Sequence, residues 1–251
     1  MSEVACPQCG KANPEGYNYC SVCGADSPSR TLVEEANARQ ASDKKSVERT
    51  KTGTILVIVA VLLSWVPLLD YLGLLLGAIG VILIILGSEV FGGHHHGMAI
   101  LAVVVFLIGF LTALLAAAGI ASSVGTASPS LITDQFDIYI ASAGIVDFSY
   151  VLILLSLENS VGRTLVISGF LSAILITIYV VTIIQPLIIT VVKNPSEAQY
   201  LTNQISGLSN LHLLSAIPAV LTALGYLTVI RRIDKGEIPK GAALVNGPQA
   251  Q

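Results

Sequence analysis

Charge is scarce in this chain. Lys, Arg, Asp and Glu supply 12% of its 251 residues, against about 25% in an ordinary soluble domain, and the mean hydropathy is +0.77. That deficit argues against a water-soluble enzyme, and no catalytic activity is expected. Lys and Arg are missing from six long apolar runs, and cysteine is missing after residue 23. Also absent are a Walker loop, a dinucleotide fingerprint, a nucleophile elbow and paired intramembrane aspartates. The N-terminus is polar, bears cysteines and has no apolar core region, so no cleavable signal peptide is expected.

The charges that remain are unevenly placed: residues 1–52 hold 14, residues 53–230 hold 9 and residues 231–251 hold 6. The long middle is a membrane body, and the lipid bilayer is its first partner. A bilayer core of about 30 Å needs roughly 20 apolar residues per helical pass. The runs lie at residues 54–69, 71–87, 98–121, 136–157, 164–192 and 211–230. Barrel strands would be shorter, with alternating polarity, and a spanning segment must satisfy its backbone hydrogen bonds internally. The expected fold is therefore all-α, a six-helix transmembrane bundle with a small N-terminal head. The expected divisions are a head at 1–28, a charged linker at 29–52, a membrane domain at 53–231 and a tail at 232–251.

Only Asp70 separates the first two runs, which reads as a tight hairpin, either fully crossing or re-entrant; a single bent pass is the poorer alternative. The fifth run is too long to stand upright and should tilt, protrude or kink at Pro186, and Pro218 is a second candidate kink. Gly73, Gly77 and Gly80, with Gly109, Ala113 and Ala117, provide small-residue faces for a compact bundle or a homo-oligomeric seam. In the linker, Thr31 with Glu34 has capping-box spacing, and Glu35 with Arg39 and Lys44 with Glu48 are four apart, so a solvated helix competes with a flexible tether. With both termini in the cytoplasm, twelve Lys and Arg lie inside and only Lys193 outside, which obeys the positive-inside rule.

All four cysteines fall in Cys6-Pro7-Gln8-Cys9-Gly10 and Cys20-Ser21-Val22-Cys23-Gly24. Two short loops of this form offer four thiolates to a closed tetrahedral site suited to Zn²⁺, with a glycine after each pair to permit positive φ. A segment of about 25 residues cannot build its own core, so the metal must supply most of its folding free energy. A disulfide pairing conflicts with a cytoplasmic head, and a redox Cys-x-x-Cys would be a single motif beside a βαβ unit. Four cysteines leave no open position for catalysis. Residues 6–24 resemble the short zinc ribbons found at the N-termini of many prokaryotic, especially archaeal, proteins, with Tyr19 where an aromatic commonly packs. The membrane body more loosely resembles archaeal multi-pass proteins. The ribbon resemblance implies metal binding and no activity. Residues 1–28 carry one base, Lys11, against Glu3, Glu15 and Asp26, which argues against nucleic acid and for a cytoplasmic protein partner.

Asp147 is the one acidic residue near the centre of an expected pass. With no Lys or Arg at that depth, it reads either as a protonated carboxyl locking two helices by one hydrogen bond or as a proton or cation site in a transporter. Asp137, about 15 Å along the same helix, is too far to form a dyad with it. His94, His95 and His96 are expected in a solvated glycine-rich cytoplasmic loop, without metal-ligand spacing, and His212 at a membrane interface. The sequence favours a membrane-tethered interaction or regulatory module with a zinc-ribbon head. The alternative is a small-solute or ion transporter centred on Asp147.

Overall fold

The computed structural model describes residues 3–14, 17–66, 69–126, 128–194, 196, 199 and 208–239. Helix dominates, and the chain divides into two units, Met1–Ser46 and Val47–Gln251, with the boundary inside one long helix.

In the first unit, β1 (Glu3–Ala5) and β2 (Ala12–Pro14) pair antiparallel, with Val4 opposite Asn13. Tyr19 and Asp26 form an isolated bridge. Helix α1 (Pro28–Leu63) then begins, with a proline where a helix tolerates one best. The charged linker is therefore helical, and α1 starts ahead of Thr31.

The second unit contains the rest of α1 with α2 (Asp70–Gly87), α3 (Gly93–Gly125), α4 (Pro129–Leu155), α5 (Ser160–Lys193) and α6 (Ala216–Asp234). Short 3-10 turns occupy Ser88–Phe91 and Leu208–Ser215. Among the described residues, five helical stretches are long and apolar enough to cross a membrane: Leu72–Phe91, Gly93–Gly125, Pro129–Leu155, Ser160–Lys193 and Leu213–Asp234. The first expected pass, 54–69, is the exception. Its helical part ends at Leu63, so the apolar stretch from Thr54 spans only about 15 Å at the helical rise.

That short stretch is half of a hairpin. A Cβ built on Gly53 would lie 2.5 Å from the Gly80 carbonyl oxygen, and one on Gly73 would lie 2.9 Å from that of Ala60. Helices α1 and α2 thus run antiparallel in close contact, which excludes a single bent pass. Two other seams use the same device. Gly109 meets the Val146 backbone across α3 and α4, Gly169 meets Pro218 and Thr222, and Gly225 meets Gly162 and Val166 across α5 and α6. The glycines at 73, 77, 80 and 109 are therefore occupied within the chain. One apolar core joins Val57, Ile84, Leu152, Leu154, Tyr226 and Val229; a second, between α4 and α5, joins Ile132, Phe136 and Val181. Most large apolar side chains of α2, α3 and α5 that escape these cores point outward, as lipid-facing positions should.

The prolines differ in role. Pro186 lies inside α5. Pro218 is the third residue of α6, in the first turn, where helical N–H groups have no intrahelical acceptor, so it starts a helix instead of kinking one.

Gly80→Leu should lower the melting midpoint of the detergent-solubilised protein by the equivalent of about 1–3 kcal/mol, because the added carbons meet backbone. Gly97→Ala, where a Cβ meets nothing within 4 Å, should leave it within experimental scatter.

Candidate functional sites

The two cysteine loops are built alike. The Gly10 N–H donates to the Cys6 carbonyl at 2.9 Å and the Gly24 N–H to that of Cys20 at 3.0 Å. Both glycines hold positive φ, +72° and +70°, a conformation that disfavours a side chain. Each loop closes with a cysteine N–H donating beyond it, Cys6 to Lys11 and Cys20 to Ala25, both at 2.8 Å. The four sulfurs lie within 4.8 Å of one another, with Cys6 to Cys23 at 3.6 Å and Cys9 to Cys20 at 3.5 Å. Tetrahedral ligation at about 2.3 Å per bond requires sulfurs roughly 3.8 Å apart, so the donor set fits one metal ion.

Electrostatics point the same way. Backbone N–H groups of Cys23 and Val22 pull the Cys20 thiol down to about 6, against the effect of burial. The Lys11 N–H favours a thiolate at Cys9, but the sulfurs of Cys23 and Cys20 push that thiol up to about 12. Four thiolates at this spacing would repel one another, a repulsion that a bound cation would relieve.

Asn13 is a residue whose role the sequence did not reveal. Buried at 2% exposure, it donates from Nδ2 to the Lys11 carbonyl at 2.8 Å and to Cys20 Sγ at 3.6 Å. Its Oδ1 accepts from the Ser21 N–H at 3.2 Å. One side chain thereby ties the two loops together and supports a ligand sulfur. Tyr19, expected to pack, is 55% exposed; Tyr17 instead buries its ring hydroxyl.

In the bundle, Asp147 lines a cavity of about 350 Å³ between α1, α2, α4, α5 and α6, together with Ser64, Tyr150, Phe170, Thr177, Ser215 and Thr222. No hydrogen bond or ion pair joins Asp147 to another described residue. The helix-locking bond considered from sequence is thus not formed among the described residues.

The histidines depart from expectation. They occupy the first turn of α3, after Gly92 turns the chain at φ +99°, not a solvated loop. His95 is 1% exposed, with Nδ1 at 2.8 Å from Ser156 Oγ, and His96 Nδ1 lies 2.6 Å from Ser88 Oγ. The tight turn at Ser88–Phe91 leaves no slack chain, so His95 and His96 pack where the helix begins while His94 stays exposed. Among the described residues, only the cysteines form a metal-ligating group of three or more. The His212 side chain and the Asp70 side chain lie outside the described residues.

Glu158, in the short link between α4 and α5, was also missed. It is 3% exposed. Thr228 donates to its Oε2 at 2.6 Å, while Oε1 has no partner among the described residues. Burial pushes its carboxyl up to about 7, against the opposing influence of the Thr228 hydrogen bond and the Arg232 and Arg163 charges. Comparison with protein-family models, curated proteins and solved structures gives no match.

Two measurements follow from these geometries. The purified chain should hold one zinc per molecule by elemental analysis, and Cys20→Ser should lose it while the helical signal of the bundle persists. For Glu158, the folded state binds its proton more tightly than the unfolded chain, so this group stabilises below about pH 4.5 and its contribution is lost as pH rises to about 7. Thermal stability in detergent should therefore fall between pH 5 and pH 8, by an amount of order 2 kcal/mol, and Glu158→Gln should flatten that dependence.

Proposed function

We propose that the chain is a non-enzymatic multi-pass membrane protein whose zinc-loaded ribbon is a cytoplasmic docking module for a soluble protein. The observation that carries this is the closed four-sulfur cluster beneath an exposed apolar rim. All four coordination positions of a zinc ion would be filled by protein sulfur, so the metal has a structural task and no room for substrate. Val4, Tyr19 and Val22 are exposed around it, Val22 at 66%. With four thiolates around a divalent ion the site keeps a net negative charge, and Glu3 and Asp26 add to it. An apolar surface with basic edges is the complementary partner; phosphate backbones are repelled.

The assignment of sides rests on the bundle. Lys51 pairs with Asp234 at 2.5 Å, and Arg232 donates to the Leu157 carbonyl. These contacts gather Lys51, Arg163, Arg231, Arg232 and Lys235 at one end, whereas Lys193 ends α5. The positive-inside rule makes the basic end cytoplasmic. Because Gly53 faces Gly80, the first hairpin returns to the side it left, whatever its depth. The residue 1–46 arm and the C-terminal tail are then both cytoplasmic.

A photocrosslinking side chain at Val22, activated in cells, should yield an adduct with a discrete soluble protein, lost in the Cys20→Ser variant. Absence of adducts, or adducts that persist without the metal site, would refute docking through the ribbon.

The cavity at Asp147 favours a second reading, carriage of a small solute or ion across the membrane. A carboxylate at this depth is costly unless paired, protonated or hydrated, and a hydroxyl-lined cavity supplies hydration.

A further inference from the structure

Resting on that second reading, we propose that the Asp147 cavity is a binding site for a small organic monocation of the alkylammonium class. Charge decides the sign of the ligand. Among the described lining residues, Asp147 is the only carboxylate, and none is Lys, Arg or His. Ser64 already donates to the Val61 carbonyl at 2.8 Å and so offers only its oxygen, while the hydroxyls of Thr177, Ser215 and Thr222 are dipoles that turn to suit either sign, so the carboxylate sets the preference for a cation.

Size and wall chemistry decide the kind of cation. About 350 Å³ is more than ten times the roughly 30 Å³ share of one water, far more than a bare metal ion fills. A hard cation also needs six or more converging oxygens or retained water, and no group of three His, Cys, Asp or Glu ligands surrounds Asp147 among the described residues. The remaining wall is mostly apolar, with Val146, Val151, Val166, Ala173, Ile176 and Ala219. An alkylammonium ion has the matching form, a single positive head with apolar surface. The rings of Tyr150 and Phe170 stand in the same wall, and aromatic faces attract desolvated ammonium groups.

The cavity also has a direction. From Val166 to Thr177 it follows α5 for roughly 16 Å at the helical rise. At one end, Ser64 follows the last turn of α1 and Ser215 immediately precedes α6. Two of the cavity's hydroxyls thus sit beside helix ends, and two, Thr177 and Thr222, within helices.

The test uses the full-length, zinc-loaded protein in detergent and in liposomes. Choline serves as the permanently charged probe, and 3,3-dimethylbutan-1-ol as its uncharged carbon analogue. Calorimetry should show saturable choline binding at least tenfold tighter than the analogue. Asp147→Asn should weaken it tenfold or more, Thr222→Val only a few-fold, and equimolar Na⁺ should not displace it. Should Asp147→Asn fail to fold, Ala173→Phe fills the cavity from an apolar wall, and its monodisperse product should likewise lose binding. Equal binding of probe and analogue, unchanged binding in either variant, or full displacement by Na⁺ overturns the assignment. Asp147-dependent proton or Na⁺ flux in liposomes without choline binding overturns the organic-cation class and leaves transport standing. Neither flux nor binding removes both.

Discussion

Lipid offers helices no hydrophobic reason to associate, so this bundle depends on how closely its backbones can approach. Glycine provides that approach at three seams. Gly53 and Gly80 face one another across the α1–α2 hairpin, Gly109 accepts Val146, and Gly162, Gly169 and Gly225 admit α6 against α5. Dispersion between atoms at contact distance is individually weak and large in sum, and it falls away quickly if a side chain holds two helices apart. Once the seams are closed, two polar side chains find partners on neighbouring elements. Tyr226 reaches the Tyr150 carbonyl, and Thr228 reaches Glu158.

The N-terminal head obeys a different constraint. It is too small to bury a core, so its order comes from sulfur geometry and from a small number of backbone hydrogen bonds. The two loops repeat one arrangement, with a cysteine carbonyl accepting from the glycine N–H four residues on. Asn13 couples the copies. Its position explains why a metal would organise more than the four ligands. Drawing Cys20 toward the ion also sets Asn13, and through it the Lys11 carbonyl and Ser21.

What the sequence made legible follows from how each signal is written. Apolar runs over 98–121, 164–192 and 211–230 mark helices because lipid demands continuous hydrophobicity, and each lies largely within an observed helix. The cysteine pairs were legible because metal ligation fixes both residue type and spacing. Helix ends were less so: α4 begins at Pro129 and not near Phe136, since polar residues such as Asp134 and Gln135 extend a helix without extending its apolar run. The depth of the first hairpin was hidden for the converse reason, as residues 54–69 are apolar throughout but helical only to Leu63. Glu158 drew no notice and His95 was expected in a solvated loop, because burial of a polar residue beside a helix end is set by neighbours distant in sequence, Thr228 in one case and Ser156 in the other.

Asp147 is best understood by contrast with the polar groups around it. Hydroxyls that serve only packing satisfy themselves locally: Ser142 donates to the Tyr139 carbonyl at 2.8 Å, Ser149 to that of Val146 at 2.6 Å, and Ser172 to that of Gly169 at 2.8 Å. Such bonds cost the fold little and ask for no ligand. A carboxyl has no donor of its own unless protonated, and a helix carbonyl cannot serve as its donor in any state. Placed among helices, it must therefore find a donor on a neighbour, in water or in a guest. Tyr150, the nearest phenol along α4, shares the cavity wall without bonding to it. Asp147 makes no hydrogen bond with a described neighbour, so its carboxyl is left to protonation or to whatever occupies the cavity, whereas the packing hydroxyls are satisfied by their own helix.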